Sequence, residues 1–461
     1  MARLWTCGFE LNSVTGGEEF DALVSSGTNL STTRPRSGTY GLRGNTTGSN
    51  IGYIRHQVRS GASSNTLFAR IYVNIERMPT GSITLVDFLT GTSTDIGWVT
   101  IESDGTLVLR NSAGTQVGSA SSALVVDTWY MVELSANEST GAIAARLDGT
   151  QFASGTDTSG VTGLHTVWIG LIDVGDAEIF FDDVAINDSS GSVQNSWPGQ
   201  GKVVHLKPNA AGDFAEGIIV GGTPTAWEAV DEINPDDATT YYNLSDNNDD
   251  LSVNLESSAT AGIGASDTIT LVQVGHRHAR ATAASSTHNV YIKSQASGTL
   301  NNGSAVTSTS TSWNSHVAAT PRIPSLTAYT EPQSGGAWTP ALLDTTQIGA
   351  IATDAAPDVW ISTLWLTVEY VPAAGSASSS VSPSPSASVS PSSSVSPSPS
   401  ASVSPSSSVS PSPSLSLSIS ISLSPSSSLS ASPSVSVSPS LEIPRAYVVN
   451  INQAVNRSRT Y

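Results

Sequence analysis

Cysteine, lysine and long apolar runs are what this chain most plainly lacks. One cysteine, Cys7, among 461 residues excludes an intrachain disulfide framework. The 19 basic residues include only three lysines and face 38 acidic ones, for a formal charge of -19, so the basic face that a nucleic acid would need is missing. No stretch approaches eighteen consecutive apolar residues, which leaves no candidate membrane-spanning helix. Helical periodicity is almost absent too. Met1 to Glu10 enter an alternating pattern at once and show no hydrophobic signal region. Yet Gly, Ser, Thr and Asn dominate, as in exposed all-β proteins. The expectation is a protein made in the cytoplasm that reaches the outside without an export address.

What is present divides the chain into four parts. From Ser376 to Ser440 every even position is serine, and the odd positions carry Ala, Ser, Val, Pro, Leu or Ile. This tract, 375–440, reads as a stalk. It separates a body of two expected domains, 1–190 and 191–374, from a terminal peptide, 441–461. The boundary inside the body falls at the polar linker Asn187 to Ser192.

In the first part, Trp5, Cys7, Phe9 and Leu11 alternate with polar residues, as in a half-buried strand. Leu67, Ala69, Ile71, Val73 and Ile75 repeat the pattern opposite Phe68, Arg70, Tyr72 and Asn74. Asp104-Gly105 and Asp148-Gly149, flanked by alternating apolar residues, predict hairpins. Many short strands at regular spacing predict a two-sheet sandwich. The segments Gly8-Phe9-Glu10, Ser37 to Leu42, Asp104 to Leu107, Trp129-Tyr130, Leu147-Asp148-Gly149 and Phe181 to Val184 together resemble the concanavalin-like, laminin-G-type jelly roll over about 185 residues.

That family includes lectins, carbohydrate-binding modules and some glucanases. The glucanases set catalytic carboxylates at alternate positions of one strand. No Glu-x-Asp-x-Glu arrangement occurs here, and Glu133 lacks a second carboxylate two residues away. No catalytic residue is therefore assigned, and a non-enzymatic protein is expected. The resemblance implies a structural Ca2+ at Glu10 with Asp182 or Asp183, carboxylates that suit a hard cation. Their alternative is a strand end in a polar loop with a solvated Glu10. Trp98, Trp129 and Trp168 form either a sugar-stacking platform or core and strand-edge packing, and Trp129-Tyr130 resembles the family's framework pair. The ligand itself is not legible.

The second part carries further strand-like segments, ending in Ile361 to Val371 with Leu364, Leu366, Val368 and Tyr370 on one face. One helical turn is predicted where Thr339 stands at the N-cap and Pro340 at the first helical position. Trp197-Pro198-Gly199, Trp227 to Asp231, Asn234-Pro235-Asp236 and Leu366 to Tyr370 resemble a domain that follows a concanavalin-like domain in structural proteins of tailed bacteriophages. His276 and His278 share a strand face, read either as a metal-binding pair or as a solvated face or subunit contact.

The stalk is either a solvated spacer or an ordered fibre. Its prolines all fall on odd positions, so an extended chain keeps one donor-bearing edge complete. Leu415, Leu417, Ile419, Ile421 and Leu423 mark its proline-free segment, a candidate for pairing between chains in a homo-oligomer. In the terminal peptide, Tyr447, Val449 and Ile451 lie on one face of a short strand that would dock onto another virion protein or simply fray. The whole is expected to be an all-β protein: two consecutive β-sandwich (jelly-roll) domains, a Ser/Pro stalk and a C-terminal β peptide. As a virion protein (tail or head fibre, or capsid decoration) it would sit on the particle surface, bind host surface glycans and be released by lysis. The alternatives are a bacterial extracellular carbohydrate-binding protein and a glucanase-like hydrolase.

Overall fold

Alternation decides the first sandwich. Leu67, Ala69, Ile71, Val73 and Ile75 project inward from the strand Thr66–Arg77 and are essentially unexposed. A computed structural model describes residues 2–374, apart from 14–18, 25–26, 49, 62, 64, 92–93, 158–162, 223–224, 238, 281–284, 296–297, 310, 317–320 and 355–357. The stalk, the terminal peptide and the assembly residues expected in them lie outside these residues.

Thr66–Arg77 is central to an eight-stranded antiparallel sheet. Across it run Thr150–Thr156, Ala142–Leu147, Trp129–Asn137, Thr66–Arg77, Ala177–Asp188, Gly41–Thr46 and Thr28–Ser31, with Arg3–Cys7 also paired to Ala177–Asp188. A seven-stranded sheet packs on its inner face, in the order Gln116–Val117, Leu107–Asn111, Thr94–Ile101, Ile83–Thr90, Leu164–Leu171, Gly52–Gln57 and Ala22–Val24. Phe9, Ile54, Phe88, Val99, Leu134 and Phe181 fill the space between them. Asp148 and Gly149 both take positive φ, 49° and 79°, as a two-residue hairpin turn demands. At Asp104-Gly105 only the glycine does, and its N–H closes a longer turn onto the Glu102 carbonyl at 2.9 Å.

The second sandwich pairs a seven-stranded and a six-stranded sheet. The first centres on the long antiparallel pair Thr268–Arg280 and Val359–Val371, flanked by Lys202–Leu206 and Tyr241–Leu244. The second runs Pro208–Ala215, Asp250–Leu255, Gln347–Ala352, Ser286–Lys293 and Asn301–Asn302, with Val306–Ser308 alongside Ser286–Lys293. The fold is all-β. Among the described residues the one α-helix is Pro340–Leu343, and no helix is long and apolar enough to cross a membrane. As predicted, Thr339 caps that helix, its side chain accepting the Leu342 N–H at 3.2 Å, and Pro340 occupies the first helical position. Thr339→Ala is expected to cost about 1 kcal/mol of stability, read as a lowered urea midpoint with unchanged slope.

One expectation fails in an informative way. The face opposite the core of Thr66–Arg77, read as the polar side of a half-buried strand, is covered: Arg70, Tyr72 and Asn74 are buried, as is Arg3 on Arg3–Cys7 of the same sheet. The second sandwich covers Arg3 and Arg70, while Arg36 stacks over Tyr72 and Arg34 donates to Asn74. Glu369 from Val359–Val371 receives Arg3 at 2.9 Å and Arg70 at 2.7 Å, and all three side chains are essentially unexposed. The Tyr329 hydroxyl accepts the Arg3 backbone N–H at 3.0 Å, and Asp183 accepts the Val203 N–H at 2.6 Å. The junction is therefore polar, and ionic at its centre.

Candidate functional site

Glu10, Asp182 and Asp183 do converge, on the segment from Arg36 to Tyr40. Glu10 accepts the backbone N–H of Thr39 through both oxygens, at 3.0 and 2.9 Å, and that of Tyr40 at 3.2 Å. Asp182 accepts the N–H of Arg36 at 2.7 Å and of Ser37 at 3.2 Å. Asp183, held at φ +51°, binds the Arg36 guanidinium and the Ser37 hydroxyl as well as the Val203 N–H. Gly38 lets the segment come so close: at φ +60° its missing Cβ would lie 2.1 Å from Glu10 Oε1. Burial raises the pKa of Glu10 well above the carboxylate range, helped by Glu19 and Asp183, and that of Asp182 likewise, helped by Asp183 and Glu10. A calcium ion takes oxygen ligands, whereas N–H and guanidinium donors occupy these carboxylates. The set as arranged fits a stitch between loop and strands rather than a calcium cage.

The three tryptophans separate. Trp129 faces a cleft of about 1430 Å³ that opens between the two sandwiches and is also lined by Tyr40, Tyr72, Arg34, Arg36 and Lys202. Two of its arginines are paired: Arg34 with Asp127, and Arg36 with Asp183 while stacking 3.3 Å over the Tyr72 ring. Trp98 and Trp168 lie half-buried on the outer face of the seven-stranded sheet of the first sandwich. Strand register places them on either side of Asp87, and continues the row to Arg110 beyond Trp98 and Arg55 beyond Trp168. Two strand spacings put the indoles about 10 Å apart.

Tyr53 stacks on Trp168 with centroids 4.7 Å apart. Its cross-strand partner is Gly170, at φ +142°, where a Cβ would meet Tyr53 Cα at 2.6 Å, so glycine leaves the room that ring needs. Within the row, Trp168 Nε1 and Asp87 Oδ1 are buried and have no partner among the described residues. Burial, followed by the adjacent Asp95 carboxyl, pushes the Asp87 pKa well above its usual range. The face thus offers two flat rings, with the Asp87 carboxyl buried between them.

The reading of His276 and His278 as a solvated strand face is corrected. Both are unexposed and continue the inward parity of Val272 and Val274 into the second sandwich. There they meet His288, which shares its inward parity with Val290 and Ile292 on the facing sheet. The same parity argument applied to Ser286–Lys293 would have found His288 in the sequence.

No family model matches the chain, and no curated protein matches it. Among solved structures it is similar to a Trypanosoma rangeli sialidase in complex with a difluorinated inhibitor, at 14% identity over 40% of this chain and 30% of that one, TM-score 0.30. A second sialidase matches at 13% identity over 35% and 17% of the two chains, TM-score 0.27. So does a structure of botulinum neurotoxin type C, whose uptake by cells depends on two ganglioside molecules, at 13% identity over 40% and 47%, TM-score 0.30. The chain spans under half the length of each of these structures. The expectation of a non-enzymatic protein is corrected by the sialidases among these neighbours, which are enzymes, and is withdrawn.

Proposed function

We propose that the chain is a structural protein of a tailed-bacteriophage particle whose first sandwich binds surface glycans on the row Arg110, Trp98, Asp87, Trp168, Arg55. The observation that carries the binding site is the placement of two half-buried indoles in one row of a sheet face, flanked by Arg55 and Arg110. A sugar has apolar C–H faces that stack on such rings and hydroxyls that accept from guanidinium N–H groups.

The virion assignment rests on the resemblance of the second sandwich's segments and on an exposed-type composition. In this reading the Ser/Pro tract spaces the sandwiches from the particle, Leu415 to Leu423 pair between chains, and Tyr447, Val449 and Ile451 dock the C-terminal peptide on another virion protein. Glycan-array binding tests the site: Trp168→Ala is expected to weaken retained glycans about ten-fold with the fold intact, through loss of stacking. Binding unchanged in both Trp98→Ala and Trp168→Ala would remove the face from consideration. Antibody labelling of purified particles tests the location separately, and unlabelled particles would overturn it.

A further inference from the structure

The apolar interior of the second sandwich gives way to nitrogen at one place. One ring nitrogen from each of His276, His278 and His288 lies within 4.8 Å of the other two. The ring centroids are 4.9–5.1 Å apart. His276 Nε2 and His288 Nε2 approach to 3.0 Å, and His278 Nδ1 lies 2.6 Å from Ser308 Oγ. The other ring nitrogens, His276 Nδ1, His278 Nε2 and His288 Nδ1, have no hydrogen-bond partner among the described residues. Three wholly buried imidazoles with half their nitrogens unmatched are costly in a metal-free interior.

We propose that His276, His278 and His288 bind one divalent transition-metal ion of the zinc class. Three features carry this. The ligand type is imidazole alone, which suits zinc, nickel, copper or iron and not calcium or magnesium. The spacing is close to what coordination needs: two nitrogens bound tetrahedrally at 2.0–2.1 Å stand about 3.3 Å apart, and the Nε2 pair stands at 3.0 Å. The outer contact is in place, because a His278 that donates Nδ1–H to Ser308 Oγ presents its Nε2 lone pair inward, the arrangement common to metal-bound histidines.

Without metal, one proton must sit between the two facing Nε2 atoms, and His278 can adopt the other tautomer. With metal, all three rings become acceptors of one ion and the conflict disappears. Burial, ahead of all neighbouring charges, holds the three imidazoles neutral at physiological pH, which is the ligating form.

A three-histidine set leaves a fourth position open. His316, at φ +60° and with an unmatched Nδ1, has its ring 6.3 Å from that of His276. The ion would join Thr268–Arg280 of one sheet to Ser286–Lys293 of the other. It would therefore cross-link the sandwich through its interior.

The test uses the full chain without a histidine tag, unfolded with a chelator, refolded with Zn2+ or Co2+, and then freed of loose metal. One ion per chain by elemental analysis, tetrahedral visible bands in the Co2+ form and a melting temperature above that of the metal-free protein are expected. His288→Ala and His276→Ala should lose the ion and the bands, whereas His165→Ala, in the first sandwich, should keep both. If the cluster variants do not refold, the wild-type Co2+ spectrum decides. Substoichiometric metal or no tetrahedral bands in the folded wild type overturns the proposal, as does an equal metal content in folded His288→Ala.

Discussion

Glu369→Ala is expected to destabilise the protein by about 3–5 kcal/mol, because it leaves Arg3 and Arg70 as buried charges without a counter-ion. The cost comes from the stranded guanidiniums more than from the lost attraction. Both belong to the first sandwich and Glu369 to the second, so the variant should also loosen the junction. Protease cutting near the linker 189–201 would then increase before global unfolding. Removing all three charges together, as in Arg3→Met with Arg70→Met and Glu369→Leu, should recover much of the loss. Urea unfolding of wild type, Glu369→Ala and the triple variant measures this. A Glu369→Ala midpoint equal to wild type would mean that the triad contributes nothing.

Acid is expected to act on the same junction. His56 lies flat against Trp5 at 4.4 Å, beside Asp21 and facing Arg322 of the second sandwich. Its pKa is lowered to about 4, by burial first, with Asp21 opposing and Arg322 assisting. His205, 3.5 Å from Glu19 and stacked on Trp365, is lowered to about 3 by burial. The unfolded chain takes up these protons near pH 6.5 and the folded chain only well below it, so stability falls as pH drops through that interval. Each histidine contributes a loss on the order of 3 kcal/mol by pH 4.

Glu369 adds to this at lower pH. Burial raises its pKa, but Arg3 and Arg70 outweigh that and hold it at about 2. Its stabilisation is complete above the ordinary glutamate range and fades as pH falls toward 2. The melting temperature of His56→Gln should therefore fall less than that of wild type between pH 6.5 and pH 4. An equal change in the two proteins between pH 7 and pH 4 would contradict the assignment.

The strands were legible because one face of each carries a clear apolar parity, as from Leu67 to Ile75, and because Asp148-Gly149 and Thr339-Pro340 encode local geometry. What escaped was set by distant partners. Arg70 occupies a position that a lone sandwich would expose, and Glu369 of the second sandwich meets it there. Trp98 and Trp168 are far apart in the chain and become neighbours of Asp87 through strand order, which parity does not supply. His276 and His278 could be placed on a face, but choosing the inward face required treating them as a continuation of Val272 and Val274.

The antiparallel pairing of Lys202–Leu206 with Val359–Val371 also sets how the second sandwich would bear tension. Lys202 lies opposite Tyr370, so the strand that enters this sandwich and the strand that leaves it meet at the same edge of the sheet. A pull on the chain at 372–374 against the first sandwich would peel the two strands apart pair by pair, the weakest way to load a sheet. Glu369 stands next to that edge and is bolted to Arg3 and Arg70. The triad thus routes the load directly into the first sandwich, guarding the point where peeling would begin.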